Sequence, residues 1–518
     1  MKTTAKKILG IELGSTRIKS VLIDENARVL AIGSHSWENR LENGLWTYSV
    51  ADIENGLASS FASLKADYME KFGERLTRLD ALGVSAMMHG YIALDDKDNL
   101  LVPFRTWRNT NTARAAELLS QRLNFNMPMR WSASHYAEAV MGHENHVKDI
   151  RFLTTLAGYV HYRLTGEKVL GIGDASGMFP VDKTGYDKKM LEKADALLGE
   201  YGVKTPLAAL LPRPLAAGEN AGTLTRLGAL LLNPTGELEA GASVCPPEGD
   251  AGTGMVATNS LRRRTANVSA GTSAFLMAVL DKSPKSAHRE IDVVATPHGL
   301  PVAMVHVNNC TNEINAWAGL FGELLALFGV KDITHGELLS ALFKTGFNMS
   351  DDVGGLIGYN FLSGEPTLGL ESGRPLVIRE PGRELTLSDF MGMQIYGALA
   401  ALALGAEILS KEGVKIDEVC AHGGFFKTAG VGDRAMSAAL GAPVSVMKNA
   451  GEGGAFGMAL LALFAHIGGG DLEKFADGVF SDAEKTVAVA SEAEKRRFAV
   501  YLERYKAAFG VARAASKF

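Results

Sequence analysis

The chain has 518 residues, 53 Lys+Arg against 58 Asp+Glu, and three cysteines. That length suits about two to four domains. A net charge of -5 gives no general drive toward nucleic acid or anionic membrane, and Cys245, Cys310 and Cys420 are too scattered for a disulfide framework or a CxxC zinc site.

Strands are expected at 8–13, 18–23 and 28–32, broken by Gly14-Ser15-Thr16 and Asp24-Glu25-Asn26. The start is basic and then apolar, but Glu12 interrupts it and no small-residue cleavage site follows, which argues against a signal peptide. A helix is expected at 51–72, with Leu57, Phe61, Leu64 and Tyr68 on one face. Short strands at 82–87 and 91–94 flank Met88-His89-Gly90, and helical patterns dominate 112–211. A glycine-rich region begins near Gly236 and includes Glu248-Gly249-Asp250-Ala251-Gly252-Thr253-Gly254. After Arg262-Arg263-Arg264, residues 267–279 read strand, Gly271-Thr272-Ser273 turn, strand. A long helix is expected at 388–410 and a strand at 418–421 that ends in His422-Gly423-Gly424. An Ala/Gly-rich helix at 453–465 and an amphipathic helix at 484–509 close the chain. Apolar stretches such as 398–409 fall short of the ~18 residues that span a bilayer, so a soluble, cytoplasmic protein is expected.

Two features organise this series. Glycine is in excess, 57 residues, with only 16 prolines, which points to sharp turns and close backbone approaches rather than to a disordered linker. The segments ILGIELGSTRIKSVLI and ANVSAGTSAFLMAV also share one plan, and their glycines, Gly14 and Gly271, lie about half the chain apart. The echo suggests two related α/β halves with a boundary near Arg262.

The turns suggest chemistry. Gly14-Ser15-Thr16 offers N–H and hydroxyl donors for phosphate oxygens, Lys19 adds a cation, and Glu12 is placed to hold Mg2+. Gly271-Thr272 repeats the donor set. Each turn is equally readable as an ordinary hairpin. Asp250 lies among residues of little bulk, where a carboxylate can approach a substrate hydroxyl and take its proton. An Asx-type turn is the plain alternative. His89 sits at a strand end, ready to donate to a polar substrate, or is simply structural. Trp107 and Arg108 offer a flat wall with hydrogen-bonding groups. Gly423 and Gly424, followed by Phe425, leave backbone bare for an adenine ring, or form a plain strand-to-helix loop. His143-Glu144-Asn145-His146 is not HExxH and reads as a solvated helix start. The dinucleotide-like segment at 252–257 follows Cys245-Pro246-Pro247 rather than a strand and is set aside, and there is no P-loop, GxSxG elbow or protein-kinase signature set.

Taken in order, these segments resemble the FGGY carbohydrate kinases, closest to ketose kinases of the xylulokinase type. The likeness rests on ILGIELGSTRIKSVLID, SAMMHGYIALD with PFRTWRNTNT, GYVHYRLTGE, GDASGMF, GDAGTG, NVSAGTSAF, AHGGFFKTAGVGDRAMSAALGAPVSV and GEGGAFGMALLA. It implies an α/β fold of two duplicated actin-like (ribonuclease-H-like) domains with a cleft between them. Residues 1–262 would bind the sugar and carry the catalytic Asp, and residues 263–518 would bind ATP. By that resemblance Asp250 is the general base, and Met88 and His89 line the sugar pocket beside Trp107 and Arg108. Gly14, Ser15, Thr16 and Lys19 would meet phosphate with Gly271 and Thr272, while Gly423, Gly424 and Phe425 would meet adenosine. ATP and Mg2+ are the implied cofactors, with Glu12 toward the metal. A small sugar is the implied partner, without nucleic acid or membrane, and a homodimer is left open.

Three departures touch the substrate side. Glu12 replaces the usual Asp, Ala251 stands where Asn is common, and the usual Trp-Asn-Asp reads Trp107-Arg108-Asn109, which replaces a carboxylate that could accept from sugar hydroxyls. The implied activity is phosphorylation of a primary hydroxyl of a ketose, a pentulose such as xylulose first. The alternatives are a kinase for L-ribulose, L-xylulose, gluconate or glycerol, a non-enzymatic actin-like nucleotide-binding protein, and a degenerate kinase that senses sugar.

Overall fold

The computed structural model describes residues 5–182, 184–330, 332–447 and 453–518. The chain forms two compact units. One consists of Met1–Leu261, Val293–Val302 and Ala450–Asp482, the other of Arg262–Asp292, Ala303–Asn449 and Ala483–Phe518.

In the first unit, Ile8–Leu13, Arg17–Ile23 and Val29–Ser36 form an antiparallel meander. Ala81–Ala86 then joins Ile8–Leu13 in parallel, and Ser243–Val244 and Glu248–Gly249 both join Ala81–Ala86 in parallel. The crossover is the helix Val50–Phe72. It starts at a capping box between Ser49 and Asp52 and stops at Gly73, whose φ of 66° suits glycine. The helix lies close to the sheet because Gly33 has no side chain: a Cβ there would stand 2.2 Å from the Ser60 carbonyl oxygen.

The opposite face carries Gly453–His466. A Cβ on Gly10 would meet the Ala455 carbonyl oxygen at 2.1 Å, and one on Gly83 would meet Met458 and Cys245 at 2.5 Å. Much of the glycine excess is therefore packing, where helix backbone rests on strand backbone. The same helix is pressed against Asp250–Ala257, since a Cβ on Gly457 would lie 2.0 Å from the Thr253 carbonyl oxygen. Asp250–Ala257 is a helix that no local pattern predicts. Two glycines in eight residues make a poor helix former, and tertiary contact supplies what propensity lacks.

The second unit repeats the plan. Its sheet runs Asp292–Ala295, Pro301–Val307, Ala274–Val279, Thr265–Ala270, Glu418–His422, Val444–Met447, Lys485–Ala488. Thr265–Ala270 is antiparallel to Ala274–Val279 and parallel to Glu418–His422, as Ile8–Leu13 is to Arg17–Ile23 and Ala81–Ala86. With the outermost strands Asp292–Ala295 and Lys485–Ala488 set aside, the remaining five follow the order of the first sheet: third, second, first, fourth, fifth.

Two expectations need correction here. Residues 484–509 are not one helix: Lys485–Ala488 pairs antiparallel with Val444–Met447, and the helix Glu492–Ala515 begins after a capping box at Ser491 and Glu494. The Thr486-Val487 pair suits a strand, and the cap fixes where the helix starts. Leu387–Lys411 is also long and apolar enough to cross a bilayer by length and composition, which the apolar runs alone did not reveal. Most of its apolar window is buried inside the protein, which makes it a core helix.

Candidate active site

The strand Ala81–Ala86 ends in a backbone kink. His89 has φ 71° and Gly90 φ 90°, and a left-handed residue other than glycine is a place where strain is held by its surroundings. Here the hold is specific. The His89 Nδ1 lies 3.1 Å from the Gly177 carbonyl oxygen, and its ring stacks on Trp131 with centroids 6.0 Å apart. A carbonyl can only accept, so Nδ1 carries the proton of this hydrogen bond.

Asp250 is the first residue of its helix, where the N-terminal N–H groups favour a carboxylate. Its Oδ1 accepts from the Met88 N–H at 3.2 Å and from the Ala251 N–H at 2.9 Å. Among the described residues Oδ2 takes no hydrogen bond. Burial raises the carboxyl above the usual aspartate range, opposed by the Met88 and Ala251 N–H groups. A carboxylate with one oxygen fixed and the other free is a suitable proton acceptor.

Glu12 and Lys19 face each other across the first hairpin. Burial, and then the charge of Asp250, push the Glu12 carboxyl up to about 7, while Lys19 and the Ala455 N–H draw it down. A Cβ on Gly454 would stand 2.5 Å from Glu12 Oε1, so the longer side chain has room only because Gly454 lacks one. An acid kept reluctant to ionise by burial and by a neighbouring acid fits a divalent cation as its counter-charge. Among the described residues no three His, Cys, Asp or Glu side chains cluster as a metal cage. Mg2+ needs few protein carboxylates beside phosphate and water, so a single carboxylate at Glu12 is compatible with it.

The turn at Gly14-Ser15-Thr16 is held from behind by its carbonyls. Gly14 O accepts from Trp37 Nε1 at 2.7 Å, Ser15 O from the Tyr48 hydroxyl at 2.6 Å and Thr16 O from the Trp37 N–H at 3.2 Å. The Gly14 N–H closes the hairpin to Arg17 O. Among the described residues the Ser15 and Thr16 N–H groups have no acceptor, which suits an incoming phosphate. Trp107 Nε1 reaches Ser15 Oγ at 3.3 Å, so this residue borders the turn. Arg108 is exposed and stacks on Trp46, its guanidinium 3.7 Å from the ring centroid. Asn109 fixes that platform, accepting from the Trp46 N–H at 2.9 Å and donating to the Trp46 carbonyl at 2.8 Å.

In the second unit the corresponding turn is built the same way. Gly271 O accepts from the Thr311 N–H and hydroxyl, and Thr272 O from the Cys310 N–H. Thr272 is exposed, and a Cβ on Gly271 would meet nothing within 4 Å. Gly423 has φ 108°, and a Cβ there would lie 2.3 Å from the Ala270 carbonyl oxygen, directly beside that turn. Gly424 has open space on its Cβ side. Phe425 is a core residue: its ring is buried and packs edge-on against Phe343 and Phe426, so only its backbone is left for a nucleotide.

The His143-Glu144-Asn145-His146 segment is an ion-pair network. Glu144 pairs with Arg105, and His146 Nε2 meets the Tyr91 hydroxyl at 2.8 Å. Sequence reasoning gave no role to Asp174, Glu248 and Thr155, which lie behind Asp250. For Asp174 the only signal was the GDASGMF motif itself.

Residues 7–229 match the N-terminal domain, and residues 266–466 the C-terminal domain, of the FGGY family of carbohydrate kinases. A xylulose kinase of Haemophilus influenzae is 22% identical over 517 residues, which cover 96% of this chain and 98% of that protein. The structure of a ligand-bound xylulose kinase from Lactobacillus acidophilus is similar with a TM-score of 0.80 at 18% identity, covering 99% of this chain and 100% of that one. A gluconate kinase from the same species gives 0.79 at 18% identity, covering 99% of both chains. At such identities the structural likeness speaks for the fold, the duplicated actin-like, ribonuclease-H-like one.

Proposed function

The chain belongs to the FGGY family of carbohydrate kinases, phosphotransferases with an alcohol acceptor that use ATP, and we propose that it phosphorylates a primary hydroxyl of a ketose, a pentulose such as xylulose. The observation that carries this reading is the Asp250 carboxylate, fixed through Oδ1 by the Met88 and Ala251 N–H groups beside His89. Residues 1–262 bind the sugar and residues 263–518 the nucleotide. Met88 and His89 line the acceptor pocket, with Trp107 beside them. Asp250 takes the hydroxyl proton as the sugar oxygen bonds to the γ-phosphorus and the bond to the β–γ bridging oxygen breaks, releasing ADP. Ser15, Thr16, Lys19 and the Gly271-Thr272 turn receive phosphate oxygens, and Gly423 and Gly424 present bare backbone to adenosine. Mg2+, when bound through Glu12 and water, supplies neutralising charge on the phosphates. A cytoplasmic location fits both ATP use and three unpaired, buried cysteines.

A second reading within the family is favoured by Arg108. Its guanidinium is stacked on Trp46 and makes no ion pair among the described residues. A stacked, unpaired guanidinium suits a carboxylate, which a sugar acid such as gluconate carries.

ADP release measured across xylulose, L-ribulose, L-xylulose, gluconate and glycerol tests both readings. Xylulose-dependent release supports the first, and strict preference for gluconate supports the second. Turnover without any acceptor points to an actin-like ATPase, and binding without phosphosugar to a sensor. Asp250→Ala should abolish acceptor-dependent release and leave nucleotide binding intact. Near-wild-type turnover in that variant removes Asp250 as the base.

A further inference from the structure

Residues 171–177, GIGDASG, have no task in the kinase reading, yet they touch Glu248, Gly249, Met88 and His89, which surround the base. Glu248 is 1% exposed, and its carboxyl oxygens accept from the Gly173 N–H at 3.2 Å and the Asp174 N–H at 2.9 Å. A Cβ on Gly171 or Gly173 would stand 2.3 or 2.4 Å from Glu248 oxygens. One on Gly177 would stand 2.7 Å from His89 Nδ1 and 2.8 Å from Met88 Cε.

At the centre lies Asp174, fully buried. Its Oδ2 accepts from the Thr155 hydroxyl at 2.6 Å, and its Oδ1 has no hydrogen-bond partner among the described residues. A Cβ on Gly249, the residue before Asp250, would lie 3.2 Å from that bare oxygen. A buried carboxylate with one oxygen unsatisfied is costly to ionise, and more so beside a second anion. Asp250 is the only one of the three acids that is not fully buried.

We propose that Asp174, backed by Glu248, is a positioning residue for Asp250: it stands as an uncharged carboxyl beside the base and keeps the negative charge of this acid cluster on Asp250. The inference rests on Asp250 being the base. Burial, and then Asp250, push the Asp174 carboxyl up to about 7, while Thr155 draws it down. Burial and then Asp174 push Glu248 up to about 8. The groups facing Asp174 are Asp250, Glu248, Thr155 and the Tyr186 hydroxyl; the neighbouring strand Arg213–Leu215 brings Arg213, which is exposed. Above its own ionisation Asp174 adds a second negative charge next to the base, where the γ-phosphate must arrive, and turnover falls.

The test is kcat and kcat/KM against pH for wild type and Asp174→Asn, at saturating ATP with the acceptor that supports turnover. Asparagine cannot ionise, so turnover at pH near 6.5 should persist, and the alkaline fall of the wild type should move up by about one pH unit or more. An alkaline limb that superimposes on the wild type overturns the proposal, because a merely structural Asp174 leaves it in place. A folded Asp174→Asn that is inactive at every pH also overturns it, because the charge would then be required. If Asp174→Asn does not fold, Thr155→Val removes the hydroxyl that favours the ionised form and should raise the same limb; an unmoved limb overturns the proposal. Asp250→Asn runs alongside: retained activity there removes the base assignment instead and is read separately.

Discussion

The Met88 N–H donates to Asp250 Oδ1 at 3.2 Å, joining two residues 162 positions apart in the chain. One hydrogen bond thus ties the acceptor wall, which continues into His89, to the carboxylate that would take the acceptor's proton. Wall and base are positioned as one piece, and displacing either displaces both.

Gly249 makes that coupling testable. Its backbone, φ -79° and ψ 154°, is open to any residue, so only space is at issue. A Cβ there would lie 2.1 Å from Met88 Cγ. Gly249→Ala should lower kcat/KM by about 10²-fold, the scale of a misplacement near 1 Å. Gly249→Ala combined with Met88→Ala, which clears the space, should recover part of the loss. Steady-state kinetics of the two single variants and the double variant check this. Losses that simply multiply mean the two positions do not act through one contact.

Glu12 predicts a pH-dependent stability. Its carboxyl is raised in the folded, ligand-free protein from 4.5 to about 7. A raised acid favours the folded state where it is protonated. That contribution is fully present below pH of about 4.5 and is lost as pH rises through about 7. Glu12→Gln should therefore melt higher than the wild type at pH near 8 and show a smaller difference at pH near 5. Thermal denaturation of the ligand-free proteins at both values decides it. A gap that is the same at both means Glu12 does not titrate in this window.

The hairpins, their Gly-hydroxyl turns and the strand before His89 were legible because strand alternation and turn chemistry are local. The helix at Asp250–Ala257 was not, because its glycines speak against a helix until Gly453–His466 is laid against it. Asp174 and Glu248 stayed hidden for a related reason: an acid is read as solvated until distant backbone closes over it. Phe425 looked like a nucleotide residue by its place beside two glycines, but Phe343, far away in sequence, claims its ring. Arg108 shows the same limit, since only the fold reveals Trp46 beneath it.

Gly457 is where a helix–helix contact is tightest. An added Cβ would sit 2.0 Å from the Thr253 carbonyl oxygen and 3.3 Å from the Ala257 N, both backbone atoms that cannot rotate away. Gly457→Ala should destabilise the protein by about 3 kcal/mol, at the upper end of overpacking costs. It should also impair catalysis, because Thr253 belongs to the helix that begins at Asp250. Chemical denaturation and turnover of the same preparation read both effects. A variant as stable as the wild type would mean that these two helices are not in contact as described.

Gly423 combines both reasons for a glycine. Its φ is 108°, a conformation that costs an L side chain of order 1–3 kcal/mol. Its Cβ position is also blocked, 2.3 Å from the Ala270 carbonyl oxygen and 2.9 Å from the Ala270 carbonyl carbon. Ala270 is the residue before Gly271, so relief of the clash moves the second Gly-hydroxyl turn. Gly423→Ala should raise the KM for ATP about tenfold or more and leave the KM for the acceptor close to wild type, since all of these groups lie in Arg262–Asp292 and Ala303–Asn449 of the second unit. Nucleotide binding followed by calorimetry should weaken in step. An unchanged ATP affinity in a folded Gly423→Ala variant would detach this turn from the nucleotide site.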